Sequence, residues 1–241
     1  MKTRHARVGC SGWYYWHWKG VVYPIGIPTS QWFDHYQREF DTVELNAPFY
    51  HWPRLTTVQS WARRATPGFS YSIKVNQKIT HLKRFKGTKT MVSQFCQLAD
   101  VLGKHMGCFL FQLPPSFHYT AARLRAIVTQ LDPRHRNVVE FRHRSWWNKN
   151  VFQAFSKAGL IFCSVSAPRL PDDLVSTGDT VYVRFHGATR LYRHNYSDVE
   201  LESWAKKIIG SQPKEIWAYF NNDFQGCAYR NAQTLRKLLA E

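Results

Sequence analysis

Acidic residues are scarce in this chain. Sixteen Asp and Glu stand against thirty-three Lys and Arg, a formal charge of +17 over 241 residues. An imbalance of that size favours polyanions, meaning nucleic acid, acidic lipid or phosphorylated substrates. Cysteine is sparse as well. The five (Cys10, Cys96, Cys108, Cys163 and Cys227) are odd in number and show no CxxC spacing, which fits free buried thiols in a reducing cytoplasm better than a disulfide framework. Long hydrophobic runs are missing. No window approaches the roughly 18 apolar residues of a membrane span. The opening MKTRHARVGCSGW has no apolar core of the kind a secretory leader carries. Long polar stretches poor in aromatics are also absent, so disorder is expected only in the first few residues.

Three motifs that would have named a chemistry are lacking. The first apolar run leads into Gly9-Cys10-Ser11-Gly12-Trp13, not the GxGxxG phosphate turn of an open doubly wound sheet. No G-x-S-x-G nucleophile elbow occurs. The histidines show no HxxxH spacing.

What is present is a regular alternation. Apolar runs rich in β-branched and aromatic residues lie at Val8–Ser11, Thr42–Leu45, Ser70–Val75, Gly107–Gln112, Val138–Phe141, Ile161–Val165, Thr180–Phe185 and Glu215–Phe220. Helical patterns fall between most of them, at Ser30–Phe40, Thr56–Arg64, Thr90–Leu102, Ala121–Leu131, Asn148–Lys157, Asp198–Ile209 and Gln225–Leu239. Such an alternation predicts βαβ units and a parallel sheet. Eight strands in a chain near the roughly 250 residues typical of the class predict a single (β/α)8 TIM-type barrel over residues 1–241. The sixth unit is irregular, because Ser166–Asp179 holds two prolines and no helical pattern.

Catalytic groups of such barrels come from the C-terminal ends of the strands, and here those ends are polar. They read Glu44-Leu45-Asn46, Lys74, Gln112, Glu140-Phe141-Arg142, Arg184-Phe185-His186 and Asn221-Asn222-Asp223. Strand side chains alternate in direction, so Glu44 and Asn46, Glu140 and Arg142, and Arg184 and His186 each share a face. Burying them unpaired would be costly, so they form a network or meet a ligand. An ion-paired layer plugging the strand ends, with Glu44 and Glu140 neutralised by Lys74, Arg142 and Arg184, is the purely structural alternative.

Six segments, GCSGWYYWHWKGVVYP, FDTVELNAPFYHWP, FLFQLPPSF, VVEFRHRSWW, YVRFHG with the Tyr-rich loop after it, and YFNNDFQGCAYRNA, recur in order over nearly the whole chain in a form that resembles the YecE-like family, domain of unknown function 72. The resemblance implies a TIM-type barrel without an assigned activity. It carries over Glu44, Asn46, Tyr50, Gln112, Glu140, Arg142, Arg184, His186, Tyr196, Asn221, Asn222 and Asp223, which overlap the strand-end set.

Three loops set the chemistry. Lys74–Lys89 carries six Lys and Arg and no acid, Arg142-His143-Arg144 follows the fifth strand, and Arg184–His194 adds Arg190 and Arg193. Arg offers a planar fork to phosphate and Lys a point charge. Aromatics accompany them, and Tyr50, Tyr192 and Tyr196 are the rings expected to touch a ligand. The expected partner is a phosphorylated small molecule or nucleic acid, and the expected activity is hydrolysis of a phosphoester. Arg142, Arg184 and Lys74 would hold the anion. Glu44, Glu140 and His186 would move protons, and Lys74 could serve as an amine nucleophile. Asn46, Gln112, Asn221, Asn222 and Asp223 complete the ligand set. No cofactor is expected. Glu44, Glu140, His186 and Asp223 could in principle ligate a divalent cation, but three nearby cations disfavour it. The alternatives are a carbohydrate or small-acid enzyme (isomerase, aldolase or glycosidase) and a non-catalytic binding module.

Overall fold

The computed structural model describes residues 5–240. The first four residues, within the stretch expected to lack order, lie outside the described residues. The strands are β1 His5–Cys10, β2 Thr42–Leu45, β3 Ser70–Lys74, β4 Met106–Gln112, β5 Asn137–Glu140, β6 Ile161–Ser166, β7 Thr180–Phe185 and β8 Glu215–Phe220. They are parallel and alternate with helices, the TIM-type barrel class expected from the sequence. By internal packing the chain divides into two compact units. One comprises the chain up to Glu44, Ser164–Leu174 and Asp179 onward; the other comprises Leu45–Cys163 and Val175–Gly178.

In the first unit β8 is central. It pairs with β1 from His5↔Glu215 to Cys10↔Phe220, and with β7 from Thr180↔Glu215 to Phe185↔Phe220. Its Ile-Trp-Ala-Tyr-Phe run is buried throughout, the continuous apolar character of a strand covered on both faces. Gly9 is needed in β1 because a Cβ there would lie 2.5 Å from the Thr42 carbonyl oxygen. The helix Cys227–Ala240 packs on β1 and β8 through Ala228, Asn231, Ala232, Leu235 and Leu239, a stripe at helical spacing. The helix Asp198–Gly210 packs on that helix in turn. It starts at a capping box in which Ser197 and Glu200 satisfy each other's backbone donors.

In the second unit β4 is central, with Ile73↔Phe109 and Lys74↔Leu110 on one side and Phe109↔Asn137 to Gln112↔Glu140 on the other. The β3 register shifts between Tyr71 and Ile73. β5 pairs with β6 through Val138↔Ile161 and Val139↔Phe162. Trp146, fully buried, lies flat between Phe141, at 3.9 Å, and Phe117, at 5.5 Å. Its indole N–H donates to the Phe117 carbonyl at 2.6 Å, so this tryptophan packs a strand-end loop down.

The sixth connection is irregular as expected, because no helix intervenes between β6 and β7. Within the second unit, Thr177 takes over part of a helix's job: its hydroxyl accepts from Phe162 N–H at 3.1 Å and donates to the Leu160 carbonyl at 2.6 Å. Two features differ from expectation. The helix expected over Thr90–Leu102 is two, Lys89–Cys96 and Leu98–Leu102. The lysine-rich loop after β3 contains a π-helical turn, Lys78–Leu82, that buries Ile79 and Thr80; those two side chains, not the charges around them, decide its path.

Candidate functional site

In the first unit the polar centre is Glu44, on β2 and fully buried. One carboxylate oxygen accepts from the Arg184 guanidinium at 2.5 Å and from the Ser11 hydroxyl at 2.7 Å; the other accepts from the Tyr182 hydroxyl at 2.6 Å. Arg184 itself is 1% exposed. A carboxylate and a guanidinium taken this far from water are tolerable only because each meets the other and further donors complete the shell. Tyr182, Arg184 and His186 recur at every second position from β7 onward, as side chains on one face must. Phe185, between the last two, instead stacks on Phe220 at 4.3 Å. An Arg184 nitrogen lies 3.4 Å from His186 Nε2. A guanidinium can only donate, so Nε2 is the acceptor of this contact. The Asn221 amide nitrogen lies 3.2 Å from Nδ1.

Around this centre the loops after β1, β7 and β8 hold one another. Asp223 is half-buried, 3.1 Å from His17. Burial raises its carboxyl above the ordinary carboxylate value, and its backbone hydrogen bond and His17 pull the other way. The Asp223 carbonyl accepts from Trp18 Nε1 at 2.8 Å. Asn222 and Tyr196, expected at a ligand, serve the framework. Asn222 is fully buried and donates to the His194 carbonyl at 2.7 Å and to the Asn231 side chain at 2.8 Å. The buried Tyr196 hydroxyl accepts from Gly187 N–H at 2.8 Å. Tyr192, by contrast, is 44% exposed.

In the second unit Glu140 is fully buried at the end of β5 and ion-paired with Arg142 Nε. Gln112, beside it in the β4–β5 register, turns back to donate to the Leu113 carbonyl at 2.9 Å, so its amide group serves the local backbone. Lys74 ends β3 with its ammonium 4.1 Å from the Phe49 ring centroid, a cation–π distance. Phe49 lies on a short helix, Ala47–Tyr50, whose N-terminal flank is Asn46. The strand has therefore ended before Asn46, and strand alternation does not govern its direction. Tyr50 is 61% exposed. Asn76 ties this helix to the β3 end by donating to the Pro48 carbonyl at 2.9 Å.

His81 has the most perturbed protonation in this cluster. The π-helical turn folds it back so that it meets Phe49 edge-on at 4.9 Å and the Thr80 hydroxyl at 3.0 Å. Its pKa falls to about 4: burial lowers it most, then Lys74 and Arg84, with Arg142 adding and Glu140 opposing. The histidine is neutral at pH 7 because burial, and after it the neighbouring cations, disfavours the charged ring.

Each unit thus gathers its own expected residues: Glu44, Arg184, His186 and Asn221 in one, and Lys74, Glu140 and Arg142 in the other. Ser11, Tyr182 and His81 belong to the clusters and were not among the expected site residues. Strand alternation back from Arg184 would have found Tyr182. No local signal marks His81, whose position depends on the turn. Among the described residues no group of three or more His, Cys, Asp and Glu is gathered as cation ligands. Glu44 and Glu140 are both engaged by guanidinium groups.

Parallel strands alternating with helices define a TIM-type barrel protein. The chain belongs to the family described as protein of unknown function DUF72, whose model matches residues 7–241. The UPF0759 protein YunF of Bacillus subtilis is 26% identical over 268 residues, covering 96% of this chain and 94% of that one. The UPF0759 protein YecE of Escherichia coli is 27% identical over 84 residues, covering 35% and 31%. A DUF72 family protein from Thermotoga maritima superposes with a TM-score of 0.89 at 27% identity, over 99% of this chain and 100% of that one. One from Enterococcus faecalis, at 20% identity and a TM-score of 0.83 over 98% and 96%, shares the fold.

Proposed function

We propose that the β3 and β5 strand ends of the second unit bind the phosphate of a phosphorylated ligand, a small molecule or a nucleic acid. The observation that carries this reading is His81. Burial lowers its pKa most, and Lys74, Arg84 and Arg142 lower it further against Glu140; three cations gathered with one carboxylate around a half-buried ring make a local field of net positive sign. Such a field stabilises an anion more strongly than an exposed lysine patch does, because partial burial weakens solvent screening. Lys74 supplies a point charge and Arg142 a planar guanidinium, the two cation types suited to phosphate. Binding is better supported than hydrolysis. Both oxygens of Glu44 are already occupied as acceptors by Arg184, Ser11 and Tyr182, and His186 Nε2 faces a guanidinium.

The test is the His81 titration, followed by NMR with inorganic phosphate as the probe. Bound phosphate raises the midpoint from about 4, and Lys74→Met or Arg142→Gln weakens that response. A midpoint and ring resonances that do not move at saturating phosphate overturn the reading.

A further inference from the structure

The first unit carries a surface that the phosphate reading does not use. The sheet order β1–β8–β7 sets three strand-end loops side by side, and each presents a large ring to solvent: Trp16, 65% exposed (beside Tyr14, 52%), after β1; Phe224, 38%, after β8; and Tyr192, 44%, after β7. Exposed aromatic rings cost hydration free energy unless something covers them, and these three are held in place. Phe224 N–H donates to the Tyr192 carbonyl at 3.4 Å. The Trp16 loop is tied to the residue before Phe224, since His17 and Trp18 both reach Asp223. Tyr192 sits at φ +64°, a conformation bulky residues rarely adopt; it is kept there while its own N–H donates to the His186 carbonyl at 2.7 Å. Arg193 lies over the Phe224 ring at 4.8 Å. Arg190 is exposed on the same loop.

We propose that Trp16, Phe224 and Tyr192 form a stacking platform for the bases of single-stranded nucleic acid, with Arg190 and Arg193 accompanying its phosphates. The three rings sit on loops that follow adjacent strands. Flat rings interleaved with guanidinium groups suit bases joined by phosphates. A sugar chain would leave the arginines without a partner, and a duplex hides the faces that the rings would stack on. The proposal deepens the phosphate reading by naming the ligand class, and rests on it only for the general preference for anions.

The whole protein is titrated into a fluorescein-labelled oligothymidylate of roughly 12 nucleotides, within the site sizes of such binders, and polarisation is recorded. Trp16→Ala, Phe224→Ala and Tyr192→Ala each weaken binding on the order of tenfold, with melting temperatures near that of the unaltered protein because the rings are solvent-exposed. An abasic strand of equal length binds more weakly, and the three variants bind it alike. Variants that bind oligothymidylate as the unaltered protein does overturn the platform. So does an abasic strand, or the matching duplex, that binds as tightly as the single strand. The His81 response to inorganic phosphate is read on the same variants. It persists in them if only the platform is wrong, and is absent from the unaltered protein if the phosphate reading is wrong.

Discussion

At the scale of single residues, the buried Glu44 carboxylate is the group most other groups depend on. Arg184, Ser11 and Tyr182 all donate to it. Glu44→Leu strips a guanidinium that is 1% exposed of its counter-charge, a loss that costs about 3–5 kcal/mol. At ~2–4 °C per kcal/mol for a domain of this size, the melting temperature falls by roughly 6–20 °C. The double variant Glu44→Leu/Arg184→Met recovers part of that, since it removes the stranded charge as well. A single variant that melts with the unaltered protein contradicts this. His81 supplies a second residue-scale prediction. Its folded-state pKa, about 4, lies below the ordinary 6.5. The unfolded chain therefore binds the proton more readily, and His81 contributes stability that is fully present above pH 6.5 and is lost as pH falls toward 4. Melting curves between pH 7 and pH 4 should show a decline that His81→Gln flattens. An unchanged decline in the variant would assign it to other groups.

At the scale of elements, the β7 loop is the part with least conformational slack. Gly187 has φ +107°, and a Cβ there would lie 2.3 Å from the Arg190 carbonyl oxygen. Its N–H also donates to Tyr196, which anchors the loop's return. Gly187→Ala should therefore cost more than about 1 kcal/mol and displace Tyr192. The expected readouts are a lowered melting temperature and faster proteolysis confined to residues 188–195. Cleavage spread evenly along the chain would argue against a local effect. The next element begins at the Ser197–Glu200 capping box. Ser197→Ala should cost ~1 kcal/mol, read by thermal melting; a variant that melts with the unaltered protein would contradict it.

At the scale of the whole molecule, a formal charge of +17 makes any polyanion complex sensitive to salt. If about four phosphates are neutralised, the slope of log K against log salt for a single strand is about −3. Binding should then weaken by well over tenfold between ~0.05 and ~0.2 M salt; a flat response would show that charge contributes little. The thiols give a separate molecular-scale prediction. All five cysteines are buried. Burial pushes the Cys10 thiol far up and the Cys96 thiol to about 12. A thiolate-selective reagent should label these two slowly in the native protein and quickly in denaturant.

The amino-acid sequence by itself determines the alternation and the strand ends. Val181–Val183 and Ile216–Phe220 stand out as continuous apolar runs, because a strand covered on both faces has no polar positions to interrupt it. Polar residues at their C-terminal ends, Arg184, His186 and Asn221 among them, mark where that cover stops. Partnership is a different matter. Glu44 and Arg184 are 140 positions apart, and nothing local tells either residue which charge it will meet. The same holds for Tyr196 and Asn222, whose side chains read as ligand groups and bond to neighbouring loops, and for His81, whose burial and cationic neighbours the fold decides. Chain pattern fixes which way a side chain points along its own strand. Only packing of strands distant in the chain decides what it faces, and burial then sets how strongly the two interact.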